Sequence, residues 1–465
     1  MKKAIAFTSF IALALTLTAA AAPLSTTRVS VSSSGVQGNR DTFAVGISAN
    51  GGYVLMNSLA TNLVPGDTNN RWDVFVHNRA NGSTTRVSVT TGGAQAAASD
   101  DPFGGSIAGG ISATGRYIVY TSDAPNLVPG DTNHVADVFL YDQGSGVTTR
   151  VSVSSRGRQA NGPSGFPTIS ADGRYVAFQS LASNLVRRDT NRLSDIFVRD
   201  LGTGKTTRVS VTSRGAQARC NLGYCESTEP ALSAHGRYVA FQSSATNLVP
   251  GDTNRLGDVF VHDRRTGKTE RVSVTSAGRQ AGRDRTNNGS NAPAISADGR
   301  YVAFHSADSN LVRGDTNKTF DIFVHDRRTG RTQRVSVSSS GAQANGENLG
   351  ALSISADGRY VAFASLASNL VAGDVNDITD VFVHDLRTGN TSLASLGASG
   401  NQGADASAVG GGTVAFTADD RVLVFSSWAP DLVPGDTNDK PDAFVRDFGG
   451  PPVQPAVKSA RVRAS

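Results

Sequence analysis

Short apolar runs punctuate the chain, and two of them recur in a fixed order. One reads R-Y-V-A-F-x-S, as at Arg174 to Ser180, and the other D-[IV]-F-V-x-D, as at Asp195 to Asp200. Both are rich in Val, Ile, Phe and Tyr and are bounded by Gly, Asp and Asn, the pattern of strands between turns. Neither alternates cleanly between apolar and polar residues, which predicts sheets covered on both faces. No segment carries a convincing helical period.

The third copy predicts four strands. Ile169 to Ala171 form a short first strand, and Asp172-Gly173 a tight two-residue turn. Arg174 to Ser180 form the second strand, Asp195 to Asp200 the third, and Thr206 to Val211 (T-T-R-V-S-V) the fourth, after a turn at Leu201 to Gly204.

The loop between the second and third strands returns seven times as [GR]-D-[TV]-N. Its first aspartates are Asp67, Asp131, Asp189, Asp252, Asp315, Asp374 and Asp436, at spacings of 64, 58, 63, 63, 59 and 62 residues. A fixed period of this size marks a repeat architecture. Seven four-stranded antiparallel units predict an all-β, seven-bladed propeller over residues 23–447. The seventh unit ends at Asp447 without a fourth strand, while an orphan T-T-R-V-S-V stands at Thr26 to Val31. The N-terminal strand is therefore expected to complete the last blade and close the ring.

S-A-D-G-R-Y-V-A-F-x-S followed by D-[IV]-F-V-x-D resembles the TolB-like propeller repeat, close to WD-type blades, over Thr26 to Asp447. The resemblance implies the ring, and not the α/β or hydrolase domains that accompany it in TolB and in propeller-bearing peptidases. A role in the Tol–Pal envelope system does not follow from it.

Met1 to Ala22 read as a signal peptide: Lys2 and Lys3, an apolar run from Ala4 to Leu17, then small residues before Pro23. The expected product is an exported protein, periplasmic or extracellular, monomeric and without a membrane span. Phe448 to Ser465, rich in Pro, Gly and basic residues, reads as a flexible tail. Without the two leader lysines the formal charge falls from +5 to +3, too little for a nucleic-acid-binding surface. In an exported chain the two cysteines, Cys220 and Cys225, are expected to form a local disulfide.

The D-x-N-x3-D loops are the first candidate chemistry. Their residues are Asp67, Asn69, Asp73; Asp131, Asn133, Asp137; Asp189, Asn191, Asp195; Asp252, Asn254, Asp258; Asp315, Asn317, Asp321; Asp374, Asn376, Asp380; and Asp436, Asn438, Asp442. Two carboxylates and an amide are hard oxygen ligands that suit Ca²⁺. The spacing resembles the Ca²⁺ loops of integrin-type propellers, though it is shorter and lacks the middle acidic ligand. The same residues also build Asx-turns, so a metal site and a structural loop both remain open. Asp377 and Asp439 add a carboxylate to the last two loops. A glutamine recurs beyond each fourth strand: Gln37, Gln95, Gln159, Gln217, Gln280, Gln343 and Gln402.

Strand alternation places these loops on one face with the inter-blade connections. That face gathers Arg187, Arg188, Arg192, Arg219, Arg255, Arg283 and Arg285, with Arg156, Arg158, Arg214, Arg279 and Arg313 nearby. Arginines in this setting can grip carboxylate, sulfate or phosphate. Phe103, Phe166, Tyr224 and Trp428 are loop aromatics that could stack on sugars. His77, His262, His325 and His384 recur at one place in the third strand and read as structure, whereas His134, His235 and His305 break the repeat.

Two functions follow. The first is a non-enzymatic binding scaffold for a protein or an anionic polysaccharide, with Ca²⁺ ordering its loops. The second is a polysaccharide-active enzyme, because rings of the resembled type include lyases of acidic sugars with a metal near the channel. That resemblance implies arginines neutralising a uronate and His134, His235 or His305 as base or ligand. It requires the three histidines to meet at the channel mouth.

Overall fold

The computed structural model describes residues 24–98, 104–219, 225–282, 289–408 and 413–450. The expected signal peptide, most of the expected tail, Cys220, Phe103, Tyr224, Arg283 and Arg285 lie outside them. Seven four-stranded antiparallel sheets form the blades of a propeller. Blade one holds β2 (Thr42–Ile47), β3 (Tyr53–Ser58), β4 (Asp73–Asn78) and β5 (Ser83–Arg86), and the same order recurs to β28 (Asp442–Asp447). No described helix is long and apolar enough to cross a membrane.

The ring closes as the repeat count requires. β1 (Ser25–Arg28) pairs with β28, Thr26 opposite Arg446 and Arg28 opposite Phe444. Blade seven therefore takes its outer strand from the opposite end of the chain.

Each blade buries apolar residues on both faces, so the core lies between blades. Seven clusters result, each shared by two adjacent blades. In blades two to seven the second and third strands stack an aromatic pair, as at Phe178 and Phe197, 5.9 Å apart, while blade one sets Met56 opposite Phe75. This explains the missing polar alternation: V-A-F and I-F-V both face apolar neighbours.

The strand ends differ from the sequence reading. In blade three the first strand is Ser164–Ile169, not Ile169 to Ala171. The turn is longer than two residues because Ser170 Oγ accepts the Tyr175 N–H and Asp172 Oδ1 accepts the Arg174 N–H. The fourth strand is Lys205–Arg208 rather than Thr206 to Val211. Beyond Arg208, Ser210 leaves the ladder and turns its hydroxyl onto Asp195.

The turns between first and second strands interlock the blades on the face opposite the D-x-N loops. Gly173 (φ +73°) lies so close to Tyr117 that a Cβ would sit 2.5 Å from the ring, and Gly236, Gly299 and Gly358 repeat the fit. Blade seven has Asp420 there, still left-handed at φ 59°. Burial, then the Asp357 carboxylate, pushes Asp420 up to about 7. A pKa raised above the unfolded value means that its contribution to stability is lost as pH rises through about 7. Asp420→Gly is therefore expected to raise stability on the order of 2 kcal/mol at pH 8, with the gain fading toward pH 5. Denaturant melts at both pH values check this.

Candidate functional site on the loop face

The D-x-N loop is held by donors from two further segments. In blade one, Arg86 from the fourth strand places its guanidinium 3.3 Å from Asp67 and 3.7 Å from Asp73. Asn69 Nδ2 donates to Asp73 Oδ2 at 2.9 Å, and Asn69 Oδ1 accepts the Arg71 N–H at 3.0 Å, which is an Asx-turn. Ser88 Oγ donates to the other Asp73 oxygen. Gln95 Oε1 accepts the Thr68 N–H at 3.2 Å. The unit thus ties loop, outer strand and inter-blade connection together.

The same junction recurs with Arg28, Arg150, Arg208, Arg271 and Arg334. Burial pushes Asp67, Asp252 and Asp442 up to about 6 despite the guanidinium beside each. The carboxylate oxygens that a Ca²⁺ site would use are engaged by donors of the chain itself. Among the described residues no three carboxylate, histidine or cysteine side chains gather to hold a metal.

Blade six departs from this pattern. Leu393 stands where the arginine belongs, and Gln402 Nε2 bridges Asp374 and Asp380 at 2.7 Å each. No ion pair reaches either carboxylate among the described residues.

A residue following the loop asparagine is left-handed in every blade: Asn70, His134, Arg192, Arg255, Lys318, Asp377 and Asp439, with φ between 51° and 62°. All seven are exposed. Around the ring this position is positive in blades three to five and negative in blades six and seven. The chain thus carries a charge sector on a symmetric scaffold.

The arginines fall into two populations. Scaffold arginines are paired: besides the junction set, Arg116, Arg174, Arg237, Arg300 and Arg359 on the opposite face each hold an aspartate at 2.7–3.0 Å. Rim arginines are not. Arg156, Arg158, Arg187, Arg188, Arg192, Arg214, Arg219, Arg255, Arg279 and Arg313 are exposed and have no ion pair among the described residues. Arg156, Arg158 and Arg187 line one groove of about 500 Å³ where blades two and three meet. Arg279 and Arg313 line another of about 990 Å³ where blades four and five meet. The equivalent groove between blades one and two is lined by Thr91, Gly92, Pro129 and Gly130 instead.

Arg188 has a further peculiarity. Its φ is 58°, and the equivalent residues Gly66, Gly130, Gly251, Gly314, Gly373 and Gly435 are all left-handed glycines. A Cβ added at those glycines meets nothing within 4 Å, so the cost at Arg188 is conformational alone, about 1 kcal/mol.

The three odd histidines do not meet. His134 is exposed in the D-x-N loop of blade two. His235 is 83 % exposed on the opposite face, 3.3 Å from Asp172. His305 is buried in a second strand, with Nδ1 on Asn291 and Nε2 on the Asn348 carbonyl, stacked on Phe320. The enzyme reading needed them at one channel mouth, and the fold places them apart. The recurrent His77, His262, His325 and His384 each bond a threonine hydroxyl at 2.9 Å, a structural role.

Other expected site residues also shift. Phe166 is not on a loop; it belongs to the inner strand Ser164–Ile169 and faces the central channel. Trp428 follows a second strand and is partly exposed. Cys225 is buried and disulfide-bonded. The junction arginines carried a sequence signal that the reading passed over: the R of T-T-R-V-S-V has the same period as the aspartates it pairs with.

Comparison with known proteins establishes the fold. No protein-family model matches the chain, and no curated protein does. An oligogalacturonate lyase in complex with manganese matches with a TM-score of 0.52 at 12% identity, over 91% of this chain and 92% of its own. TolB from Acinetobacter baumannii matches with a TM-score of 0.39 at 14% identity, over 77% of this chain and 64% of its own, so the chain spans less than two thirds of that protein. The β-propeller domain of the Trilobed protease from Pyrococcus furiosus matches with a TM-score of 0.46 at 10% identity, over 83% of this chain and 91% of that one.

Proposed function

We propose that this chain is an exported, TolB-like propeller that works as a binding scaffold, and that its loop face holds an anionic partner. The partner is an anionic polysaccharide or an acidic protein surface. Fold alone does not carry this reading, since propellers host many activities. Arg188 carries it: an exposed arginine with no ion pair among the described residues, held left-handed where six other blades use glycine. Non-glycine residues kept in such conformations cluster at functional sites. The groove with Arg156, Arg158 and Arg187 adjoins it, and the positive arc of Arg192, Arg255 and Lys318 extends it.

Of the seven loops, blade six alone carries the Ca²⁺ expectation onward, because the other six already hold a guanidinium.

Arg188→Gly is expected to be more stable than the parent by about 1 kcal/mol. It should also bind polygalacturonate or a sulfated glycan more weakly. Combining it with Arg156→Ala, Arg158→Ala and Arg187→Ala should lower affinity about tenfold or more at low salt, with the parent's binding falling as salt rises. Immobilised-glycan binding at two ionic strengths measures both. Equal binding by the parent and the quadruple variant would exclude the loop-face arginines as the site.

A further inference from the structure

The central channel breaks the repeat more sharply than the loops do. Its wall is built from inner strands, and in blades three, four and five the register shift that also interrupts blades one, two and six takes one form, two residues set against one. Pairing skips from Gly165 to Thr168, from Thr228 to Ala231 and from Asn291 to Ala294. The bulged residues Phe166, Glu229 and Ala292 are left-handed, with φ of 49°, 54° and 48°, and each is followed by proline. Aromatic and acidic side chains in that conformation are strained, which marks a site worth reading.

The neighbouring blade is cut to fit the bulge. A Cβ at Gly109 would lie 2.0 Å from the Pro167 carbonyl oxygen, so only glycine lets the Phe166 bulge pack against blade two. The result is a cavity of about 590 Å³ reached by residues of all seven blades. This is the size range of small-molecule sites, roughly 300–1,000 Å³.

Its chemistry is uneven. Phe166 is 64% exposed and Ile107 44%, with Pro167, Pro230 and Leu352 continuing an apolar wall. Glu229 is the one carboxylate among the lining residues, and they include no lysine, arginine or histidine. Glu229 Oε2 accepts the Ala292 N–H at 2.8 Å, which orients the carboxylate. It has no ion pair among the described residues. A fixed carboxylate beside an exposed aromatic ring and an apolar wall is complementary to a cation that carries an apolar body.

We propose that the channel mouth binds a small organic cation of the arylalkylamine type, its ammonium on Glu229 and its apolar body against Phe166. This site is separate from the arginine face, and its ligand has the opposite charge.

The test is calorimetric titration of the full chain with 2-phenylethylammonium, and with 2-phenylethanol as the uncharged match. The ammonium should bind at least about tenfold more tightly than the alcohol. Glu229→Gln should remove that preference while its amide carbonyl still accepts the Ala292 N–H, leaving the melting temperature in place. Phe166→Leu should weaken the ammonium several-fold and keep the wall apolar. The proposal is overturned by equal binding of ammonium and alcohol, by unchanged binding in Glu229→Gln, or by no heat with the ammonium at about 10 mM. The loop-face arginine variants should leave this titration unchanged, so the two sites fail or stand independently.

Discussion

A chain lacking Ser25 to Gln37 is expected to lose the stability of the whole ring, not of one blade. That segment supplies the outer strand of blade seven, and Val29 continues the ladder by donating to the Ala443 carbonyl at 2.8 Å. It also supplies the guanidinium, the glutamine amide and the serine hydroxyl of the last junction, leaving Asp442 only the Asn438 amide at 3.2 Å. Gln37 Nε2 reaches Asp436 and Asp442 at 2.7 and 2.8 Å, Arg28 lies 3.5 and 3.8 Å from the same carboxylates, and Ser30 donates to Asp442. Asp442 is fully buried, so the truncation leaves a carboxylate without its cation. Breaking one buried pair in this way costs about 3–5 kcal/mol before the lost strand is counted. Because each core cluster is shared by two blades, an opened ring exposes apolar surface at the break and weakens its neighbours in turn. Scanning calorimetry of both proteins should show a much lower transition for the truncated chain. A melting temperature equal to the parent's would mean that the N-terminal strand does not lock the ring.

Arg271→Leu should give the second largest effect. Its guanidinium lies 3.3 Å from Asp252 and 3.1 Å from Asp258, both at a buried junction. Burial already pushes Asp252 up to about 6 and raises Asp258, and the arginine opposes both shifts. Without it the carboxyls shift further up. A folded pKa above the unfolded one gives a contribution that is lost as pH rises, so the deficit is largest at high pH. The expected cost is about 3–5 kcal/mol at pH 8, shrinking as pH falls through about 6 toward 4. Leu393→Arg is the reciprocal change: it brings the missing cation to Asp374 and Asp380 and should stabilise blade six by about 1 kcal/mol at pH 8. Urea melts at pH 8 and pH 5 read both. A pH-independent deficit in Arg271→Leu would show that lost packing, not charge, sets the cost.

Blade count, strand order and ring closure were legible because they depend on local chemistry repeated in register. V-A-F and I-F-V cannot face water on either side, and D-x-N favours an Asx-turn between strands. Strand ends were less legible. Ser170 and Ser210 look like strand residues by position, yet their hydroxyls bond backbone or carboxylate groups and stop the ladder. The third-strand histidines were read correctly from recurrence alone, since a residue that returns in the same seat serves the seat.

The sequence by itself determined the fold: the period, the apolar runs and the displaced T-T-R-V-S-V leave one closed arrangement. Only the tertiary structure decided which charges are free. Arg86 and Arg187 are the same residue type, and their burial and partners separate them, one locked on Asp67 and the other exposed in a groove. It likewise moved Phe166 from a loop to the channel and set it in the same cavity as Glu229, more than sixty residues away in the chain. The reason is physical. Strand formation follows from neighbours in sequence, whereas an ion pair or a shared cavity depends on distances that exist only once the ring has closed.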